Sequence, residues 1–177
     1  MNKQDLERVR RIVRNIPDFP VPGIQFKDLT TAFKDPEALA IMTRAMTEQY
    51  CDKGVTKVVG IEARGFIGGA ILATQLGAGF VPLRKPGKLP AEVIRKSYAK
   101  EYGTDTIEIH KDAITSDDVV VIHDDLLATG GTMLAAYELV KSMNPRKVYI
   151  SFLCDLADLH GRDVFPHDVE ISSLFTF

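Results

Sequence analysis

The fold of this chain turns on VVVIHDDLLATGGT, Val119 to Thr132. An apolar, β-branched run comes first. Two adjacent acids follow, then a glycine-rich turn and a helical pattern from Thr132 to Met143. Strand, turn and helix in that order are one unit of an α/β domain. A phosphate needs several donors aimed at one point, and the backbone N–H groups of a helix start supply them. Glycine lets the chain curl round the ligand, and the helix dipole favours its charge. Ala128, Thr129, Gly130, Gly131 and Thr132 meet this need, with two threonine hydroxyls as further donors. The loop has no lysine where a Walker A motif requires one, so it is not an ordinary ATPase loop.

Asp124 and Asp125 would repel a phosphate unless they served another polar group. The vicinal hydroxyls of a ribose are natural partners, because an ionised carboxylate only accepts hydrogen bonds. A 5-phosphorylated ribose accounts for acids and loop together. The alternative is a solvated turn with a capped helix. His123 interrupts the apolar run and shares a strand face with Val121 and Asp125. It is expected to be a largely buried imidazole bonded to a polar neighbour. The alternative is a protonated ring that tunes the grip on the ribose.

Outward from this stretch, the pattern predicts an amphipathic helix over 3–15, from Leu6, Val9, Ile12 and Val13, then a loop through DFPVPGIQF. Asp35-Pro36 opens a helix to about residue 51. TKVVGI reads as a buried strand, GFIGGAILATQL as a helix packed close to a sheet, and GFVPL as another strand. A basic loop, RKPGKLP, precedes a hairpin over 94–109. KVYISFLC and VEISSLF read as the last strands. The alternation implies an α/β fold with a mainly parallel central sheet flanked by helices. No repeat or linker marks a boundary, so residues 1–177 are expected to form one domain. Ligands bind beyond the carboxyl ends of such strands, which places 62–65, 83–88 and 124–132 round one crevice.

The length of 177 residues fits a sizeable core, and 45% apolar with 26% charged residues is a soluble globular profile. A net charge of −2 gives no sign of a nucleic-acid or membrane surface. No apolar run is long enough to span a bilayer, and MNKQDLERVRRIV lacks the apolar core of a signal peptide. Cys51 and Cys154 form no C-x-x-C pair and read as buried, reduced thiols of a cytoplasmic protein. His110, His160 and His167 have no metal-ligand spacing.

DDLLATGGT resembles the phosphoribosyl-pyrophosphate (PRPP) signature of the type I phosphoribosyltransferases. Together with DFPVPGIQFKDL, EARGF, RKPGKLP and EYGTD, in that order, it is similar to the adenine-using branch of that family. The resemblance runs from about Pro17 to the C-terminus. It implies transfer of phosphoribose from PRPP to adenine, giving AMP and pyrophosphate. Gln25, Phe26, Lys27 and Leu126 would bind adenine, with Phe26 stacked on the base. Ala63, Arg64, Arg84, Lys85 and Lys88 would bind pyrophosphate, with a cis Ala63–Arg64 peptide. Asp124 and Asp125 would hold the ribose, and Ala128 to Thr132 the 5-phosphate. Glu101 would accept the purine proton, with Tyr102 and Arg64 beside the reaction. The resemblance also implies an N-terminal hood, a mobile lid over 95–109 and a homodimer with the basic loop near its interface. Mg²⁺ would be held through PRPP and water, with no direct protein ligand. Thr31 stands where many members have proline, and His123 where an aliphatic residue is common. A phosphoribosyltransferase for another purine and a catalytically silent PRPP-sensing regulator are the rival readings.

Overall fold

The amphipathic N-terminal pattern forms α1 (Lys3–Ile12), and an antiparallel pair follows, β1 (Arg14–Pro17) with β2 (Gln25–Asp28). This computed structural model describes residues 3–19, 22–23, 25–100 and 103–177. The loop expected through DFPVPGIQF is corrected at its end, where Gln25 and Phe26 are strand residues, Phe26 opposite Ile16. Neither strand shows apolar alternation. Side-chain bonds fasten the pair instead: Arg14 donates twice to Asp28 Oδ2, at 3.1 and 2.5 Å. The Thr30 hydroxyl and Arg14 hold the Asp28 carboxyl down at about 2. Thr31 fits the loop without a proline. Its hydroxyl donates to the Asp28 carbonyl at 3.0 Å and accepts from the Arg14 N–H at 3.3 Å.

A short helix, α2 (Thr30–Phe33), leads to α3 (Pro36–Tyr50). As its sequence implies, Asp35 caps α3, accepting from the N–H groups of Glu37 and Ala38 at 3.0 and 2.9 Å. Cys51, at the end of α3, is exposed where a buried thiol was expected, whereas Cys154 is buried. Then come β3 (Lys57–Ile61), α4 (Gly65–Leu76) and β4 (Gly79–Leu83). A hairpin of β5 (Val93–Lys100) and β6 (Gly103–His110) stands apart from the main sheet. The chain ends with β7 (Val119–Leu127), α5 (Gly131–Lys141), β8 (Lys147–Asp155), a 3-10 turn at Ala157–Leu159 and β9 (Glu170–Thr176).

The main sheet is parallel throughout, in the order β4-β3-β7-β8-β9. Its continuous apolar strands are those of a sheet covered on both faces. On one face Ile122, Ile150 and Phe152 pack with α5 residues such as Leu139 and with Ile107 and Ile109 of the hairpin. On the other, Val58, Val121 and Leu153 pack with α3 and α4 through Met42, Met46 and Leu72. After β3 the chain moves outward to β4; after β7 it moves the opposite way to β8 and β9. The topological switch point therefore lies between β3 and β7, where α/β sheets open a crevice at their carboxyl ends. Among the described residues, no helix is long and apolar enough to cross a membrane.

Candidate active site

At the switch point, β7 continues past His123 to Leu127, so Asp124 and Asp125 are strand residues ahead of the turn. Asp125 is buried and Asp124 half-buried, and loss of solvent pushes both carboxyls up. Asp124, with the Asp125 charge beside it, is raised the more. Asp125 keeps a counter-charge: the Arg64 Nε lies 2.7 Å from its Oδ2. Arg64, at the start of α4, also lies 5.4 Å from the Phe26 ring centre and so links the β1–β2 pair to the acids. Leu126 is part of the wall here, packed with the α3–α4 side of the core.

The chain then turns through 128–130 into α5. Gly130 sits at φ 84 at the N-cap, a conformation that suits glycine. No side chain caps α5, so its first-turn N–H groups have no capping acceptor competing with an anion. Ala128, Thr129, Gly130, Gly131 and Thr132 line a small cavity of about 110 Å3 here, with Asp124 and Leu126.

Across the crevice, the basic loop gathers on one carboxylate. Glu62 accepts from Arg84 Nε and Nη2 at 3.3 and 3.2 Å, from the Lys85 N–H at 3.0 Å and from Lys88 Nζ at 2.5 Å. Burial pushes the Glu62 carboxyl up, but Lys88 and Arg84 outweigh it and hold it at about 2. The cis peptide of this loop is Glu62–Ala63, one residue before the expected Ala63–Arg64 bond. Ala63 itself is exposed at the crevice edge.

The hairpin closes the third side. The Tyr98 hydroxyl lies 3.0 Å from Thr132 Oγ1 and donates to Asp105 Oδ2 at 3.3 Å, and Lys85 forms an ion pair with the same Asp105. A chain of polar contacts thus runs from the basic loop over the hairpin to the glycine loop. Beneath it is a cavity of about 240 Å3 bounded by Glu62, Arg84, Lys85, Tyr98, Asp124 and Thr132. Glu101 and Tyr102 lie outside the described residues.

The remaining expected residues are less convergent. Gln25 accepts from Asn15 Nδ2 at 2.7 Å. Lys27 alternates to the opposite side of β2 from Phe26. Its ammonium stands 4.7 Å from the Phe177 ring centre. Phe19 meets Phe26 edge-on at 5.1 Å. His123 is fully buried, with Nδ1 3.1 Å from Ser151 Oγ. Burial pulls its pKa down to about 4, so the imidazole is neutral at physiological pH. Sequence reasoning placed Glu62 in the crevice without giving it a role, and did not single out Tyr98 or Asp105. For Glu62 the available signal was its position at the carboxyl end of β3; the other two acquire their contacts only through the hairpin.

The phosphoribosyl transferase domain family matches residues 30–172. The adenine phosphoribosyltransferase of Bacteroides thetaiotaomicron is 63% identical over 170 residues, 96% of this chain and 97% of its own. That of Geotalea uraniireducens is 50% identical, over 97% of this chain and 100% of its own. Among solved structures, the adenine phosphoribosyltransferase of Rhodothermus marinus superposes with a TM-score of 0.94 at 48% identity, covering 99% of this chain and 100% of that one. The Giardia lamblia enzyme in complex with 9-deazaadenine gives 0.92 at 43%, covering 97% of each chain.

Proposed function

The chain belongs to the phosphoribosyl transferase family, and we propose that it is an adenine phosphoribosyltransferase, making AMP and pyrophosphate from adenine and PRPP. The observation that carries this reading is convergence at one switch point. A carboxylate pair, an uncapped helix start and a basic loop meet there, matching in chemistry the ribose, 5-phosphate and pyrophosphate of PRPP.

In the mechanism, the C1–oxygen bond to pyrophosphate breaks, positive charge builds on the ribose ring, and adenine N9 attacks from the opposite face. Asp124 and Asp125 accept the ribose hydroxyls and stabilise that charge. Residues 128–132 hold the 5-phosphate. Arg84, Lys85 and Lys88 release Glu62 and Asp105 and take the departing pyrophosphate. Arg64 serves the same leaving group and orients Asp125. Phe26 stacks on adenine, Gln25, Lys27 and Leu126 complete the base site, and Glu101 takes the N9 proton beside Tyr102. Catalysis rests on positioning and charge stabilisation, with no covalent enzyme intermediate. Glu101→Gln should lower kcat more than it weakens PRPP binding; an unchanged kcat with a higher KM would remove that assignment.

Mg²⁺ fits this site as a passenger on PRPP. Before PRPP binds, Asp125 is paired with Arg64 and Glu62 with the basic loop. Bound through PRPP oxygens and water, the ion would neutralise pyrophosphate charge. Residues 1–177 act as one catalytic domain in the cytoplasm, with the β1–β2 region as hood and 95–109 as lid. The working unit is a homodimer. Exposed Ile67 and Phe80, with Phe66 edge-on to Phe80, form an apolar face on α4 and edge strand β4, next to the basic loop.

The test is pyrophosphate release from PRPP with adenine, hypoxanthine, guanine or no base. Release with adenine alone is expected. Release with an oxopurine would make this an enzyme for another purine, and none with any base would make it a PRPP-sensing regulator.

A further inference from the structure

The glycine loop is not shaped by β7 and α5 alone. Its outer side is covered by residues 156–164, which leave β8 and pass through the 3-10 turn before β9. A first side-chain carbon on Gly161 would collide with the carbonyl oxygen of Ala128, and would lie 3.0 Å from Ala128 C and from Leu127 Cδ1. Reciprocally, such a carbon on Gly130 would collide with the carbonyl oxygen of Gly161 and lie 2.7 Å from Val164 Cγ2. Two backbones therefore touch, each because the other carries no side chain.

The covering segment is itself fixed. The Leu156 N–H donates to the Leu127 carbonyl at 3.0 Å. Arg162 donates from Nε to Asp155 Oδ2 at 2.6 Å, from Nη1 to the Ile171 carbonyl at 3.1 Å and from Nη2 to Ser173 Oγ at 2.8 Å. One side chain thus staples the segment to both β8 and β9, directly beside Gly161.

We propose that Gly161, held in place by Arg162, is a positioning residue for the 5-phosphate. It fixes Ala128 and Gly130, and through them the direction of the N–H groups that open α5. A site made of backbone donors has no rotamers with which to adjust, so a displaced loop loses its anion directly. Misplacement by about 1 Å can cost on the order of a hundredfold in rate. The proposal rests on the assignment of residues 128–132 to the 5-phosphate.

The test compares Gly161→Ala and the milder Arg162→Lys with the parent enzyme. Readouts are KM for PRPP, Kd for AMP by calorimetry, KM for adenine, KM for pyrophosphate in the reverse reaction, and Tm. Gly161→Ala should raise KM for PRPP and Kd for AMP about tenfold or more, and leave adenine and pyrophosphate within about twofold. Arg162→Lys should move the same two constants in the same direction, about threefold, and carries the test if the alanine variant does not fold. Unchanged constants, or an equal loss for every substrate with a lower Tm, would overturn the proposal. Thr129→Ala and Thr132→Ala separate the two layers. If they weaken AMP and the Gly161 and Arg162 variants do not, only the positioning role fails; if none weakens AMP, the phosphate assignment fails with it.

Discussion

The two ends of the crevice that we propose to bind anions are built on opposite principles. The glycine loop at 128–132 offers backbone donors on an uncapped helix, set by a positive φ at Gly130 and by backbone packed against its outer side. The basic loop at 84–88 offers side-chain cations, already gathered on Glu62 and Asp105. On the proposed assignment, one end would bind by keeping still and the other by exchanging partners. The difference suits a reaction in which the phosphate end stays attached to the product and the pyrophosphate end must leave.

The backbone end should be the easier to break. Gly130→Ala demands a positive φ from alanine and drives a carbon into Gly161, so kcat/KM for PRPP should fall about a hundredfold or more in steady-state assays. A variant within a few-fold of the parent enzyme would show that the loop adapts, and the contrast would collapse. At the side-chain end, Lys88→Ala should raise KM for PRPP only about fivefold and leave the Kd for AMP unchanged, since an exposed charge contributes about 1 kcal/mol. The KM for PRPP should also rise with added salt more steeply than the Kd for AMP.

The scaffold behind the acids should be the quietest in function. His123→Val should leave the dependence of KM for PRPP on pH between 6 and 8 superimposable on that of the parent, because the imidazole is already neutral there. Its effect belongs to stability. Loss of the Ser151 partner should cost about 1–3 kcal/mol in denaturant titration. The unfolded chain takes up a proton on His123 below about pH 6.5, the folded chain only near 4, so the parent loses stability as pH falls through that window. The valine variant should lack that part of the slope.

The main sheet was legible because buried parallel strands leave unbroken apolar runs, as in KVVGI and VVVIH, and glycine with threonine marks the loop between β7 and α5. The β1–β2 pair was not. RNIP and QFKD are held by an Arg14–Asp28 ion pair that no period encodes, and Thr31 takes over a place where proline was the expectation. At the site, the acids and the loop could be read because one segment carries both. Glu62 could not be assigned its role, since its partners lie more than twenty residues further on. The same holds for Gly161, which meets the loop only once β8 has crossed the sheet.

The imidazole on β7 has a consequence of another kind. A first side-chain carbon on Gly68 of α4 would fall on His123 Nε2, the tip of a fully buried ring. The absence of a side chain at 68 therefore leaves the space that the ring at 123 fills. Gly68→Ala should lower Tm in the parent chain and lower it less when combined with His123→Val. The odd residue in the signature is thus tied to a glycine on the helix that covers it, and the two positions have to be varied together.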